Sequence, residues 1–193
     1  MTKVLVVHAS RHGGTAGIAD KIGEVLRAEG LEATVKPAAE ANWIVGIDAF
    51  VVGSGVYIGS WLDHALEFLR QNQGVLSRSP VWLFSSGPLK GSSKAQPGSD
   101  PVDNALGPRE GPGSGSRKKL EALSAAIGPR DHRVFDGAFD PKEPPKALSE
   151  RLVRLMPSAK NILPPGDFRD WDAIAAWARE IAAELEKAPA PVG

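Results

Sequence analysis

Residues 3–20 read KVLVVHASRHGGTAGIAD, and this stretch contains the pattern from which the fold can be inferred. The apolar, β-branched run at residues 4–7 predicts a short buried strand. A polar, glycine-containing turn follows, and a helical pattern comes after it, with apolar side chains on one face at Ile18, Ile22, Val25 and Leu26. A turn of this kind presents free backbone N–H groups and the positive end of the helix dipole to an anion. The stretch therefore predicts an anion site formed by residues 10–15.

The turn differs from two common phosphate-binding motifs. A P-loop has a lysine after its last glycine, and Thr15 follows Gly14 here. The dinucleotide fingerprint has glycine at its first, third and sixth places, and His12 stands at the first when Gly14 and Gly17 take the others. What remains is the pattern Ser-x-x-Gly-x-Thr. On this turn alone, an ordinary tight connection with chance hydroxyl residues stays open as the alternative.

Composition predicts a single globular domain. A chain of 193 residues can bury a core without covalent cross-links, and the absence of cysteine excludes disulfides, thiolate metal ligands and a cysteine nucleophile. Lys+Arg and Asp+Glu both number 23, so no nucleic-acid surface is indicated. The sequence shows no membrane-spanning run and no signal peptide, and we expect a cytoplasmic protein. We expect one domain over residues 1–187, a Gly/Pro/Ser-rich insertion at about residues 90–116, and a tail at residues 188–193.

The order of predicted elements indicates an α/β fold. Strands are predicted at residues 4–7, 31–36, 49–53, 80–86 and 132–139, with helices between them, one of which spans residues 117–127. A further helix is predicted at residues 146–156, and Asp170 is predicted to cap the last helix. The strands are near-continuous apolar runs, which is typical of a parallel sheet covered by helices on both faces. Only in the second strand do apolar and polar residues alternate clearly, which is typical of a strand at the edge of a sheet. These patterns predict a doubly wound five-stranded parallel sheet in the order 2-1-3-4-5.

Two further segments follow strands of this sheet. Residues 54–59 place the only tyrosine of the chain, Tyr57, among glycines, and Ser60 is predicted to cap the next helix. Residues 85–88 follow the fourth strand. Ligands of such sheets lie beyond the carboxyl ends of the strands, at the switch point between strands one and three. We expect the three segments to form one site, although Tyr57 alone could equally pack on the following helix.

The sequence resembles the flavodoxin superfamily over nearly its whole length. VLVVHASRHGGTAGIADKI (residues 4–22) is similar to the first strand, phosphate loop and helix of that family. DAFVVGSGVYIGSWLDHALEFL (residues 48–69) and PVWLFSSGPL (residues 80–89) are similar to its next two ligand loops. A closer likeness is to the branch that includes flavin-dependent protoporphyrinogen dehydrogenases, which has a similar Gly-Ser-x-Val/Ile-x-x-Gly loop. Residues 166–182, GDFRDWDAIAAWAREIA, resemble actinobacterial flavodoxin-domain proteins.

The resemblance implies a flavodoxin-like fold that binds flavin mononucleotide (FMN), with its phosphate at residues 10–15 and Tyr57 against the face of its ring. His12 stands where typical flavodoxins carry a second hydroxyl, so phosphate affinity would rest partly on Arg11 or on a charged His12. No catalytic residue is assigned. The implied cofactor-binding residues are Ser10, Arg11, His12, Gly13, Gly14, Thr15, Ser54, Gly55, Val56, Tyr57, Ile58, Gly59, Ser85, Ser86, Gly87 and Pro88.

The predicted site contains no Asp or Glu, whereas typical flavodoxins surround the ring with acidic side chains. We therefore expect a less negative potential than that of a low-potential carrier. An oxidoreductase acting on a quinone-like or tetrapyrrole substrate, with a redox partner or a small-molecule electron donor or acceptor, fits this expectation. A flavodoxin-type electron carrier and a non-catalytic flavodoxin-fold binding module that lacks flavin remain alternatives.

The sequence also bears on one alternative fold, on two histidines and on the Gly/Pro/Ser-rich insertion. A phosphoacceptor receiver domain needs acidic residues at the ends of strands one and three, where this chain has His8, Ala9, Gly53 and Ser54. His8 itself is expected to be a hydrogen-bonded structural histidine, and His132 carries no functional signal. Residues 90–116 are interpreted as either a lid over substrate or a disordered insertion.

Overall fold

The computed structural model of the protein describes residues 1–42, 44–57, 59–87, 102, 106, 114–140 and 166–187. Within these residues, helices stand between most of the long strands. Their order is β1 (Lys3–Ala9), α1 (Gly14–Ala28), β2 (Glu32–Pro37), a 3₁₀ turn (Ala38–Glu40), β3 (Ala49–Tyr57), β4 (Ser60–Trp61), α2 (Asp63–Gln71), α3 (Gln73–Leu76), β5 (Val81–Gly87), α4 (Ser114–Ile127), β6 (Asp131–Asp136), β7 (Ala138–Phe139), β8 (Gly166–Asp167) and α5 (Trp171–Lys187).

The main sheet has the order β2-β1-β3-β5-β6, and these five strands are parallel. The predicted five-strand order 2-1-3-4-5 is confirmed, because β5 and β6 are the fourth and fifth long strands of the chain. The predicted edge position of the second strand is also confirmed. Two short pairings were not predicted: β4 pairs antiparallel with the end of β3, and β7 pairs antiparallel with β8 in a separate two-stranded ribbon.

Helices cover both faces of the sheet, as the near-continuous apolar strands predicted. Val4 and Val6 of β1 enter a buried cluster with α1 and α5, whereas Leu5 and Val7 enter a second cluster with α2, α3 and α4. This division follows from the strand geometry, in which successive side chains point to opposite faces. The largest side chains of the first cluster are Trp82, Phe84 and Trp177, and each is at most 2% exposed.

Helix boundaries follow the local signals at two places. Helix α1 ends before Gly30, whose φ of 84° is the left-handed conformation that favours glycine. Asp170 caps α5, since its Oδ1 accepts a hydrogen bond from the Ala173 N–H at 2.9 Å. Among the described helices, none is both long and apolar enough to cross a membrane.

Other predicted boundaries were wrong. Ser60 does not cap α2, because it lies in β4 opposite Tyr57, and the helix begins at Asp63. Strand β3 continues to Tyr57, so residues 54–57 belong to a strand rather than a loop. The predicted fifth strand is divided at Gly137 into β6 and β7. Helix α4 begins at Ser114, three residues earlier than predicted. The predicted helix at residues 146–156, nearly all of the insertion and the tail lie outside the described residues.

Candidate functional site

The three predicted segments leave the sheet at the same edge. Ala9, the last residue of β1, is in register with Ser54 of β3, and Ser54 is in register with Ser85 of β5. The residues beyond this line surround a cleft that is open to solvent. The cleft is lined by Gly14, Thr15, Gly55, Val56, Tyr57, Ser86, Gly87, Gly137 and Ala138.

The first turn of α1 has the features of an anion site. Gly13 occupies the N-cap with φ 74°, no side chain caps the helix, and the first turn contains no acidic residue. Ser10 Oγ is buried and has no hydrogen-bond partner among the described residues. A buried hydroxyl without a partner costs about 1–3 kcal/mol. Uncapped N–H groups and an unpartnered hydroxyl next to one another suit a ligand with several acceptor oxygens.

Close packing between β3 and α1 depends on Gly55. A Cβ at this position would lie 2.9 Å from Cε2 of Tyr57 and 3.0 Å from Oγ1 of Thr15. Thr15 itself is only 4% exposed. The glycine therefore allows the aromatic ring and the threonine hydroxyl to lie on the same side of the sheet, where both residues line the cleft.

Tyr57 contacts the turn that follows β1. The Cζ atom of Arg11 lies over the tyrosine ring, 4.7 Å from its centroid, in a cation–π contact. The ring centroid of His12 lies 6.5 Å from that of Tyr57. The structure thus brings the aromatic residue of the second segment together with the two basic residues of the first.

The hydroxyls of Ser54 and Ser85 are used within the protein. Ser54 Oγ accepts a hydrogen bond from the Leu62 N–H at 2.9 Å and donates to the carbonyl of Gly55 at 3.0 Å. Ser85 Oγ accepts from the Trp61 indole N–H at 2.8 Å and lies 2.9 Å from Nε2 of His132. These bonds connect β3, β4, β5 and β6 behind the cleft.

Sequence reasoning missed several residues of this region. It gave His132 no role, although its ring also packs edge-on against Trp61 at 5.7 Å between centroids. Gly137 and Ala138 line the cleft and were assigned to the last part of the predicted strand at residues 132–139. The glycine inside the predicted strand was the available signal, since glycine within a strand pattern often marks a break or a close backbone approach. Of the remaining predicted residues, Gly59 forms a turn with φ 70°, and Ile58 and Pro88 lie outside the described residues.

The charge around the cleft is mixed. Residues 54–57 and 85–87 contain no acidic residue, and Arg11 lies over Tyr57. The end of β6, however, places Asp136 in register with Gly87 of the cleft. An acidic residue at this edge was not predicted, because only residues 10–15, 54–59 and 85–88 were expected to form the site.

The expectation that His8 is a hydrogen-bonded structural histidine is wrong. Its Nδ1 is buried and has no partner among the described residues. Burial lowers the pKa of His8 below its ordinary value of 6.5, against the attraction of the Asp20 and Glu40 carboxylates for the charged ring. The neutral ring is therefore the favoured form at the end of β1.

This pKa predicts how stability depends on pH. As the pH falls through 6.5, the unfolded chain takes up a proton that the folded protein resists, so the free energy of unfolding should decrease; above that pH, His8 should have no effect. Urea midpoints measured from about pH 8 to about pH 5 test this. The His8→Gln variant should show a weaker decline, and the exposed His64→Gln variant should keep the wild-type profile. Identical profiles for His8→Gln and wild type would contradict the prediction.

A model of the flavodoxin domain matches residues 5–143, which is more than half of the chain. The chain belongs to the flavodoxin domain family. Membership identifies FMN as the cofactor of this flavodoxin-domain protein and electron transfer with redox partners as its role. The residues at the cleft fit that cofactor, because Ser10 and the uncapped turn of α1 suit a phosphate, and Tyr57 offers an aromatic face.

Solved structures resemble this flavodoxin-domain protein in fold. A mutant of flavodoxin from Pseudomonas aeruginosa has a TM-score of 0.55 and 18% identity, covering 96% of this chain and 99% of that one. Oxidised flavodoxin 1 from Bacillus cereus has a TM-score of 0.54 and 15% identity, covering 98% and 100%. Rubredoxin oxygen:oxidoreductase from the anaerobe Desulfovibrio gigas has a TM-score of 0.57 and 16% identity, covering 96% of this chain. The match spans only 36% of the length of that oxidoreductase. Among curated protein sequences, none matches this chain.

Proposed function

We propose that this protein is an FMN-dependent oxidoreductase that acts on a quinone-like or tetrapyrrole substrate, in the manner of the branch that includes protoporphyrinogen dehydrogenases. The observation that carries the proposal is the guanidinium of Arg11, which lies 4.7 Å from the ring centroid of Tyr57, a residue that lines the cleft. A fixed positive charge at this place favours an anionic reduced cofactor and so favours acceptance of electrons from a substrate.

The residues of the cleft divide between the two ends of the cofactor. Ser10, Thr15 and the backbone of residues 13–15 would bind the phosphate, with Arg11 and His12 beside it. Tyr57, Gly55, Ser86 and Gly87 would lie along the ring, and Gly137 and Ala138 would close the cleft. FMN supplies one- and two-electron transfer when bound, so the protein needs only to bind and orient the reactants and to set the local charge.

Removal of the Arg11 charge should make the potential of the second reduction step of FMN more negative. In the Arg11→Gln variant we expect a shift of at least about 40 mV, which corresponds to about 1 kcal/mol of lost stabilisation for a one-electron step. A spectroscopic redox titration of the FMN-loaded protein measures it. The matched control is Arg70→Gln, which removes the same charge from an exposed position on α2 and should leave the potential unchanged. Equal potentials for Arg11→Gln and wild type would remove the basis of the proposal.

Substrate assays test the reaction class directly. The wild-type protein should show a yellow flavin spectrum with FMN, and quinones, NAD(P)H and protoporphyrinogen should then be screened for flavin reduction and reoxidation. Turnover of a quinone or protoporphyrinogen supports the proposal. A protein that remains colourless with FMN would instead be a non-catalytic binding module.

A flavodoxin-type electron carrier is the second candidate. It is supported by the likeness to solved flavodoxins, which covers almost the entire length of both chains, and by Asp136 at the edge of the cleft. A carboxylate near the ring opposes an anionic reduced cofactor. A very negative potential for the second reduction step, together with no turnover of any small substrate, would favour the carrier over the oxidoreductase.

A further inference from the structure

We propose that Arg169 is a positioning residue for cofactor binding, which holds the peptide group between Gly14 and Thr15 in the orientation that binds phosphate. The inference rests on the proposed role of residues 10–15 as the phosphate site. Arg169 lies outside the part of the chain that the family model matches, residues 5–143, and it follows β8. Arg169 lies near the phosphate site only because the folded chain brings the two segments together.

The guanidinium of Arg169 is held on three sides. Its Nη1 donates a hydrogen bond to the carbonyl oxygen of Gly14 at 3.3 Å. Its Nε and Nη2 donate to the two carboxylate oxygens of Asp167 at 2.8 and 2.5 Å. Its Cζ lies 4.4 Å from the ring centroid of Trp171, and the side chain is 17% exposed. A bidentate carboxylate pair and an aromatic face restrict a planar guanidinium far more than a single surface contact would.

The hydrogen bond to Gly14 acts on a donor of the phosphate site. The carbonyl of Gly14 and the N–H of Thr15 belong to one planar peptide unit, so fixing the carbonyl also fixes the direction of the N–H. This N–H lies in the first turn of α1, which has no side-chain cap. A charged donor on the carbonyl also polarises the peptide and strengthens its N–H as a donor. Arg169 therefore acts on phosphate binding through Thr15 rather than by touching the ligand.

Two glycines in α1 make room for this arrangement. A Cβ at Gly17 would lie 2.5 Å from Nη1 of Arg169, so a larger residue would push the guanidinium away from Gly14. A Cβ at Gly14 would lie 3.4 Å from the backbone of Ala138 in β7. The beginning of α1 is thus shaped to receive both the arginine and the ribbon formed by β7 and β8.

The same ribbon contacts the other end of the cleft. A Cβ at Gly137 would overlap the carbonyl oxygen of Gly87 at the end of β5. The Phe168 N–H, one residue before Arg169, donates to the carbonyl of Gly137 at 3.0 Å. Arg169 is therefore anchored to a segment that packs against both the phosphate end and the ring end of the proposed site.

Flavin affinities test this role, because riboflavin has the ring of FMN and lacks the phosphate. Arg169→Gln should raise the Kd for FMN by about tenfold, because the Thr15 N–H is then no longer held toward the phosphate, and should change the Kd for riboflavin by less than about twofold. Arg169→Lys should lose most of the same affinity, since an ammonium cannot reproduce the planar fork. Arg179→Gln is the control and should change neither Kd. It removes an exposed arginine of α5, whose Nε lies 3.8 Å from Oε1 of Glu29.

A second variant separates positioning from folding. Gly17→Ala retains the charge of Arg169, introduces a good helix former and displaces the guanidinium. It should weaken FMN binding as Arg169→Gln does, without lowering the melting temperature of the cofactor-free protein. Unchanged FMN affinity in both variants, or an equal loss for FMN and riboflavin, would overturn the proposal.

Hydrogen exchange in the cofactor-free protein gives a readout that needs no flavin. The amides of residues 15–18 should exchange faster in Arg169→Gln than in wild type and should be unchanged in Arg179→Gln. If wild type binds neither flavin, the proposed function fails, and the exchange rates still decide whether Arg169 holds the turn. Equal exchange rates in Arg169→Gln and wild type would overturn the positioning role.

Discussion

The Gly53→Ala variant is expected to lose about 3 kcal/mol of folding stability, at the upper end of the usual cost of overpacking a core. A Cβ at Gly53 would overlap three atoms of the Phe84 ring. The ring cannot move away, because it is fully buried and packs against Phe135 and Trp177, each 6.3 Å from it between centroids. Urea unfolding of the cofactor-free protein measures the loss.

A control variant and a double variant test whether the loss of stability comes from the contact with Phe84. Gly74→Ala, in α3, places a Cβ where no atom lies within 4 Å, and it should be neutral or slightly stabilising. Shortening the ring in the double variant Gly53→Ala/Phe84→Leu should recover part of the loss, so the two substitutions should be non-additive by about 1 kcal/mol. Additive effects, or a Gly53→Ala variant as stable as wild type, would show that the strand can shift to accept the methyl group.

Replacement of Ser10 by alanine is expected to change stability and cofactor affinity in opposite directions. The Ser10 hydroxyl is buried without a partner among the described residues, so its removal should leave the cofactor-free protein as stable as wild type or more stable. FMN affinity should fall by about tenfold to a hundredfold, because a phosphate loses a hydrogen bond in which the acceptor is charged. Riboflavin affinity should change little. Thermal melts of the cofactor-free protein and fluorescence titrations with both flavins provide the three measurements.

Ser85→Ala is the matched comparison for Ser10→Ala. The Ser85 hydroxyl accepts from the Trp61 indole N–H and contacts His132, so its removal leaves a buried donor unpaired and should cost about 1–3 kcal/mol in the cofactor-free protein. A Ser10→Ala variant that loses stability without flavin, or that binds FMN like wild type, would exclude Ser10 from the phosphate site.

The sheet order was predictable because its signals are local. Residues 4–7 and 49–53 are continuous apolar runs, as buried parallel strands require, and residues 31–36 alternate as an edge strand does. The prediction of an anion site at residues 10–15 rests on signals of the same kind, since strand, glycines and helix follow one another directly. The capping prediction at Ser60 failed because the pairing of Ser60 with Tyr57 outweighed a sequence pattern that is typical of helix starts.

The contacts that complete the site depend on residues far apart in the chain. Arg169 donates a hydrogen bond to the carbonyl of Gly14, which lies 155 residues earlier in the chain. His132 contacts the hydroxyl of Ser85, which lies 47 residues earlier. Neither residue has a local pattern that distinguishes it from other arginines and histidines, and the two-residue strands β7 and β8 are too short for a periodic signal.

Short stretches of sequence thus determined the strand order, the edge position of β2 and the helices on both faces, because backbone preference and hydrophobic periodicity act between near neighbours. Only the folded chain determines that the Ser10 hydroxyl has no partner among the described residues, that Arg11 lies over Tyr57 and that Arg169 hydrogen-bonds to Gly14. Burial, and contact between distant residues, arise only when the helices and strands pack together.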